Sequence, residues 1–422
     1  MAWLAGGIFL AVLAAVATDR VSRAGAALGG AGLLILLRIL DQRQALAAVD
    51  WNTLGLLFGM MVIVAVAARS GVFRYLAILA GRGAAGDPRR ILIYLALTTA
   101  VASALLDNVS AVLFLTPITL ALSRELSLDP FPLLTAQVAA ANLGGTATLI
   151  GDPPNIMVGS AAGLNFGDFL LRAAPAAALG LAVVVGFLLL THRHLLTPPR
   201  RRERLAHLDA GGALRDRRLV WVSFTVLSLT VVGFLVAPLF HYQLATVALG
   251  GAVLVLFAGR VNPREVLAEV DWDTLLFFMG LFVLVEGLVR TGVVEQAAQV
   301  LRASSGGSPG AAMLLLLWGG GVVSGVVNNV PFTAGMIPLV RTLVQGGMPS
   351  GPLWWSLVLG MGLGGNATLV GASANLAVAS EAAAAGYAFS FRRYLPWGLA
   401  CAGLSLAVAT GYLLTVYPGV SP

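Results

Sequence analysis

The sequence predicts an all-α polytopic membrane protein built from two inverted-topology repeats. Each repeat would hold five transmembrane helices, with a re-entrant hairpin and a broken helix. Three observations carry this prediction. The chain is too apolar for water, it is written twice, and polar motifs interrupt its apolar stretches at matching places in both copies.

Of 422 residues, 58% are hydrophobic and 11% are charged, with a mean hydropathy of +0.90. Soluble domains carry roughly 25% charged residues, and several apolar runs here approach the ~20 residues that cross a bilayer. The lipid bilayer is therefore the expected surrounding. The net charge is +7, and all 26 basic residues are Arg. Arg in loops between spans is a topology signal, so nucleic acid is not expected as a partner. One cysteine, Cys401, excludes a disulfide framework, a thiolate metal cluster and a relay of paired thiols. Of the four His, His192, His194 and His207 lie in or near a polar linker, which leaves too few for a zinc site. No metal and no cofactor are expected. The chain has no Walker loop and no HExxH or GxSxG motif, so ATP binding and hydrolase chemistry are not expected either.

The duplication is direct. "VDWNTLGLLFGMMVIVAVAARSGVF" (49–73) aligns with "VDWDTLLFFMGLFVLVEGLVRTGVV" (270–294) at an offset of 221, with eleven identities in 25 positions. At the same offset "SALLDNVSAVLFLTP" (103–117) meets "SGVVNNVPFTAGMIP" (324–338). At offset 220 "LGGTATLIGDPPN" (143–155) meets "LGGNATLVGASAN" (363–375). Three blocks in one order define a first transmembrane repeat (1–191), a basic linker (192–218) and a second, inverted repeat (219–422).

Taken in order, "MAWLAGGIFLAVLAAVATDR" opens the chain. Its "AVA" at 15–17 resembles a signal-peptidase site, but no basic residue precedes the apolar run, so it reads as the first span. Spans in the first repeat fall near 3–18, 24–40, 51–68, 131–162 and 174–191. Those of the second fall near 219–236, 242–258, 272–289, 352–384 and 395–416. The apolar stretches 89–123 and 310–342 are each cut by a polar motif into arms marginal for a full crossing, which suits re-entrant hairpins. Five crossings per repeat invert the second against the first. With the linker inside, 20 Arg fall inside and 6 outside, summing to the 26 present. This places the linker in the cytoplasm and the N-terminus outside an inner membrane.

Inverted repeats place a transport site where their broken segments meet near the midplane. Irregular backbone at that depth must line a cavity or be buried in protein. The candidate ligands at the hairpin tips are Asp107, Asn108 and Ser110 in one repeat, with Asn328 and Asn329 in the other. The broken spans add Thr146, Thr148, Asp152 and Asn155, and Asn366, Thr368, Ser373 and Asn375. Gly and Pro in these segments free carbonyls for a cation, and half-helix N-termini offer N–H groups to anionic or hydroxyl oxygens. Asp107 is foremost a candidate for ion coupling, with capping of the second hairpin arm as the alternative, and both roles can hold at once. Asp152 is either a cap for the half-helix begun by two prolines or an ion ligand. Glu286, where the first repeat has Ala65, either carries a proton or pairs with Arg290 one turn away. No Arg or His lies within the four motifs, so a cation, or a neutral hydroxylated solute exchanged for a proton, fits them more directly than a doubly charged anion.

"LLDNVSAVLFLTPIT", "NLGGTATLIGDPPNIMVG" and "VDWNTLGLLFGMMVIV" resemble the ArsB/NhaD branch of the ion transporter superfamily. That branch holds arsenite efflux permeases, NhaD-type sodium/proton antiporters and the P protein. The resemblance covers nearly the whole chain outside the linker. It implies elevator-type movement of subdomains that carry the hairpins. It implies site roles for Asp107, Asn108, Thr148, Asp152, Asn155, Asn329, Thr368 and Asn375. A homodimer and, for arsenite efflux, an external ATPase subunit are partners it allows. The sodium–carboxylate relatives carry Ser-Asn-Thr at the tips, whereas this chain has Asp-Asn-Val and Asn-Asn-Val, which weighs against sodium–dicarboxylate symport. The expectation is a secondary active transporter coupled to H+ or Na+, foremost a proton-antiport exporter of arsenite or antimonite as uncharged hydroxides. Sodium/proton antiport and sodium-coupled uptake of a small anion are the alternatives.

Overall fold

The computed structural model describes residues 1–17, 21–72, 75, 78–79, 83–84, 87–195 and 216–420, so most of the linker lies outside the described residues. The first repeat comprises α1 (Ala2–Ala17), α2 (Arg23–Leu36), α3 (Gln42–Ala48), α4 (Trp51–Arg69), α5 (Pro88–Leu105), α6 (Asn108–Glu125), α7 (Phe131–Ala147), α8 (Pro153–Ala162) and α9 (Phe166–Thr191). The second comprises α10 (Arg217–Val236), α11 (Leu244–Gly259), α12 (Pro263–Ala268), α13 (Trp272–Arg290), α14 (Val293–Ser304), α15 (Pro309–Val326), α16 (Asn329–Gln345), α17 (Ser350–Gly364), α18 (Ser373–Ala384) and α19 (Phe391–Val416). Among the described residues, six helices are long and apolar enough to cross a membrane. The apolar α1, α2 and α11 are shorter.

The repeated "VDW" motif is a helix start. Asp50 Oδ1 accepts the Asn52 and Thr53 amides at 3.0 and 3.1 Å, and Asp271 Oδ1 accepts the Thr274 amide at 3.0 Å. Each caps the long helix of its repeat, satisfying donors that lipid would leave orphaned.

The inversion is visible in what the ends of α4 touch. Asn52, at its start, accepts the Ala245 amide at the start of α11 (3.1 Å), while Arg69, at its end, pairs with Glu265 and Glu269 just beyond α11 (both 2.9 Å). Thus α4 and α11 run parallel. The chain then reverses into α13, the repeat mate of α4, so the mates are antiparallel. The face from which the linker leaves is called the linker face below, and the other the far face.

Two glycines seat this scaffold. A Cβ on Gly59 would lie 2.6 Å from the Ala248 backbone, and one on Gly280 would lie 2.5 Å from the Ala27 backbone. The two contacts are the same contact made twice by mated residues, and they let helix backbones meet as small residues do in membranes.

The hairpins pack on the breaks. α5 runs against α7 with Gly144 against the Ala100 carbonyl, and α15 runs against α17 with Gly364 against the Gly321 carbonyl. The second arms then cross over: α6 packs on α18 of the other repeat, and α16 packs on α8. α15 meets the length criterion for a span, yet the chain turns back at Asn328. There the Asn329 amide donates to the Gly371 carbonyl at 3.2 Å, which fixes the tip at the depth of the break.

Candidate functional site

Most of the shared polar residues of the motifs are spent on holding the breaks together. Asn155 Nδ2 donates to the carbonyls of Gly145 and Thr148 at 2.9 and 2.8 Å. Its mate Asn375 Nδ2 donates to those of Gly365 and Thr368 at 2.7 and 2.8 Å. Thr148 and Thr368 hydroxyls donate to the Ala104 and Gly325 carbonyls, both at 2.5 Å, and tie each break to its hairpin. Thr146 Oγ1 donates to the Asn142 carbonyl at 2.7 Å. The sequence suggested that freed carbonyls in these segments would serve a cation. In this structure each of the four carbonyls at the Asn amides accepts an internal hydrogen bond, as an unpaired backbone group at this depth costs several kcal/mol.

The motifs alone miss Asn142. Its Nδ2 reaches Asn366 Oδ1 and Asn375 Oδ1 of the other repeat, both at 2.8 Å, and all three residues are buried. At the mated position stands Gly362, where a Cβ would collide with the Thr146 side chain. An amide one residue before the repeated Leu-Gly-Gly block was the available signal. Tyr394 also enters, donating its hydroxyl to the Asn366 carbonyl at 2.7 Å.

The unshared residues behave differently. Asp107 is a cap: its Oδ1 accepts the Ser110 amide at 2.8 Å. Asp152, although it precedes the prolines of α8, makes no capping bond. Its Oδ2 accepts Asn329 Nδ2 at 2.8 Å, joining the break of one repeat to the hairpin tip of the other. The carboxyl group is 3% exposed and sits at the N-terminus of α8. Asn328 Oδ1 accepts the Val330 amide at 3.1 Å, and its Nδ2 donates to Ser373 Oγ at 3.2 Å.

Ser373 Oγ accepts a second bond, at 3.0 Å, from Arg23 Nη1. The four motifs contain no cation, but the fold brings this one in from the start of α2. Position 23 is outside every motif, and only docking of the scaffold on α18 reveals it. Ser22 beside it donates to Asp273 Oδ1 at 2.7 Å.

These groups border two cavities that open toward the linker face. One, of 540 Å³, is lined by Asp152, Asn108, Asn328, Asn329, Ser373 and Arg23, with Asp271 and Asp273 toward its mouth. The second, of 420 Å³, holds Asp107 and Ser110 and also reaches Asp271 and Thr274. Asn108, Val109, Pro153, Asp271 and Thr274 border both, so the first hairpin tip walls their inner parts from each other while the start of α13 borders the two together. Thr146, Thr148, Asn155, Asn366, Thr368 and Asn375 line neither.

Glu286 lies elsewhere. It borders a 310 Å³ cavity on the far face, beside Asp50 and Arg341, and its Oε1 accepts Arg290 Nε at 2.6 Å. The pairing alternative is therefore the one realised in this conformation. Among the described residues no group of three His, Cys, Asp or Glu is placed to hold a metal ion.

The family model for a citrate transporter (CitMHS) matches residues 13–360 of the chain. Two proteins of Mycobacterium tuberculosis named as uncharacterized transporters are each 40% identical over 99% of both chains. The human P protein is 32% identical over 98% of this chain, which spans 60% of that longer protein. Among solved structures, the YdaH transporter of Alcanivorax borkumensis is similar with a TM-score of 0.60 and 19% identity, covering 92% of this chain and 90% of its own. At that identity the likeness is one of fold.

Proposed function

The chain belongs to the citrate transporter family of the ion transporter superfamily, and from that premise we propose that it is a proton-coupled exporter of small uncharged hydroxides, with arsenite and antimonite first among them. That it is a membrane transporter and not an enzyme follows from the family. The solute, the coupling ion and the direction are our reading.

One observation carries it: the Asp152–Asn329 hydrogen bond at the wall of the larger cavity. A carboxylate on the break of one repeat is held by the hairpin tip of the other. A proton or cation arriving at Asp152 competes for the oxygen that Asn329 donates to, so ion occupancy and the seating of the second hairpin become one equilibrium. The amides of Asn108, Asn328 and Asn329 and the Ser373 hydroxyl supply neutral donors and acceptors to a hydroxylated solute. With the linker in the cytoplasm of an inner-membrane protein, both cavities load from inside, as export requires. An elevator-type shift of hairpins and breaks along the scaffold of α2, α4, α11 and α13 would then carry the site across. The export reading brings a homodimer and an external ATPase subunit as candidate partners.

Arg23 supports a second reading, ion-coupled transport of a small anion, because a guanidinium at the solute cavity fits a carboxylate well. Sodium/proton antiport with Asp107 and Asp152 as ligands is the third. Everted vesicles challenged in turn with arsenite, Na+ and dicarboxylates, while internal pH is followed, separate them. Arsenite movement coupled to pH is expected. A strong sodium-dependent pH change without arsenite movement would overturn the export reading.

A further inference from the structure

Two cavities flank one hairpin tip, and they differ in chemistry. The larger holds amides, a hydroxyl and the carboxyls of Asp152, Asp271 and Asp273, and among the described residues it alone of the two contains a cation, the Arg23 guanidinium. The smaller is walled by the apolar face of α4, including Leu57, Met60, Val64 and Ala68, and its polar ends are acidic. Asp107 and Ser110 close the inner end, and Asp271 stands at the mouth. Glu269, also at the mouth, is neutralised by Arg69 at 2.9 Å. Among the described residues no Arg or His lines this cavity. A volume of 420 Å³ admits on the order of a dozen waters at ~30 Å³ each.

We propose that the smaller cavity is a dedicated cation path from the linker face to Asp107, separated from the solute cavity by the Asn108–Val109 tip. Its ligand is a proton carried on water or a small monovalent cation. A narrow apolar wall with carboxylates at both ends concentrates positive charge and repels anions, since low-dielectric walls focus the field. The path also has a lever. Asp107 Oδ1 is the cap acceptor for α6, so a cation on that carboxylate competes with the Ser110 amide for it. Loosening the cap moves the tip that walls the solute cavity. Cation and solute would thus act on one element from opposite sides of the tip, although Asp271 and Thr274 border both spaces. This rests on the reading of the chain as ion-coupled, but its test needs no transport.

The lone cysteine, Cys401, is buried, so a Cys401→Ala background frees the chain for introduced thiols. Ala68→Cys reports on the proposed path and Ala379→Cys on the solute cavity. In nanodiscs, where both faces meet reagent, each variant is labelled with a cationic or an anionic methanethiosulfonate of similar size. Rates are normalised to those with free cysteine. At Ala68→Cys the cationic reagent should win by about tenfold. Adding Asp107→Asn should reduce that preference several-fold at Ala68→Cys and leave the ratio at Ala379→Cys unchanged. Asn caps as well as Asp, so this variant keeps the hairpin folded, and each ratio is read within one protein. Equal normalised rates at Ala68→Cys, or no reaction with either reagent, would overturn the path. A cation preference that survives Asp107→Asn would overturn Asp107 as its end. If arsenite flux fails while the charge preference holds, the solute reading falls and the cation path stands.

Discussion

The bond between Asp152 and Asn329 can be measured in isolation. Asn329→Ala removes the donor and leaves a 3% exposed carboxylate without it. When the carboxylate is ionised such a hydrogen bond contributes about 1.5–3 kcal/mol, and stranding the buried charge pushes the loss to the upper part of that range. Asp152→Asn removes the charge, and with it most of the reason Asn329 matters. Added to Asp152→Asn, the Asn329→Ala change should therefore cost under ~1 kcal/mol. The double-mutant cycle should return a coupling energy of about 1.5–3 kcal/mol, against the ~0.5 kcal/mol expected of independent sites. Equilibrium unfolding of the four proteins in mixed micelles reads it. If Asn329→Ala costs the same in both backgrounds, the contact does not link the two repeats energetically, and the coupling argument built on it fails.

Four further outcomes follow from the same geometry. Asp107→Asn preserves a capping side chain, so its unfolding midpoint should match the parent while pH-coupled flux is lost; unchanged flux would leave Asp107 a cap only. Gly59→Ala and Gly280→Ala, facing backbone at 2.6 and 2.5 Å, should each destabilise by about 1–3 kcal/mol and by similar amounts, whereas Gly7→Ala, with nothing within 4 Å, should not; unequal losses in unfolding midpoints would deny the scaffold its two-fold character. His192, just past α9, is buried with its ring 4.0 Å from that of Trp397, and burial holds its pKa below the usual 6.5. A depressed folded pKa gives stability that is present above 6.5 and lost as pH falls toward the folded value, so thermal scans from pH 7.5 down to about 5 should show a slope that His192→Phe removes. Arg23→Gln should weaken a small anion about tenfold or more, since a charge-assisted bond is lost, while leaving arsenite binding nearly unchanged; isothermal titration with each distinguishes the readings.

How far the sequence reached can be followed residue by residue. The offsets of 221 for the scaffold helices and tips and 220 for the breaks located both copies, because helix caps, Gly and Pro interruptions and apolar runs are written locally. "VDW" announces a capped helix, and Asp-Asn-Val a turn, whatever surrounds them. The polar residues within the breaks were legible as special but not as to purpose. Thr148 and Asn155 satisfy carbonyls a few residues away or on the adjoining hairpin, while Asp152, three positions from Asn155, turns outward to a cavity. Side chains so close in sequence divide between frame and site according to which neighbour stands beside them.

The sequence by itself determined the two antiparallel copies, their hairpins, their breaks and the burial of polar backbone in lipid, since each follows from local pattern and from the cost of an unpaired amide. Docking of the copies decided the site. Asp152 meets Asn329 across 177 residues, Arg23 meets Ser373 across 350, and Asn142 reaches two amides of the other repeat. No local signal encodes such pairs, because they depend on the relative placement of two repeats, which the packing of glycine against backbone and the crossed second hairpin arms fix together.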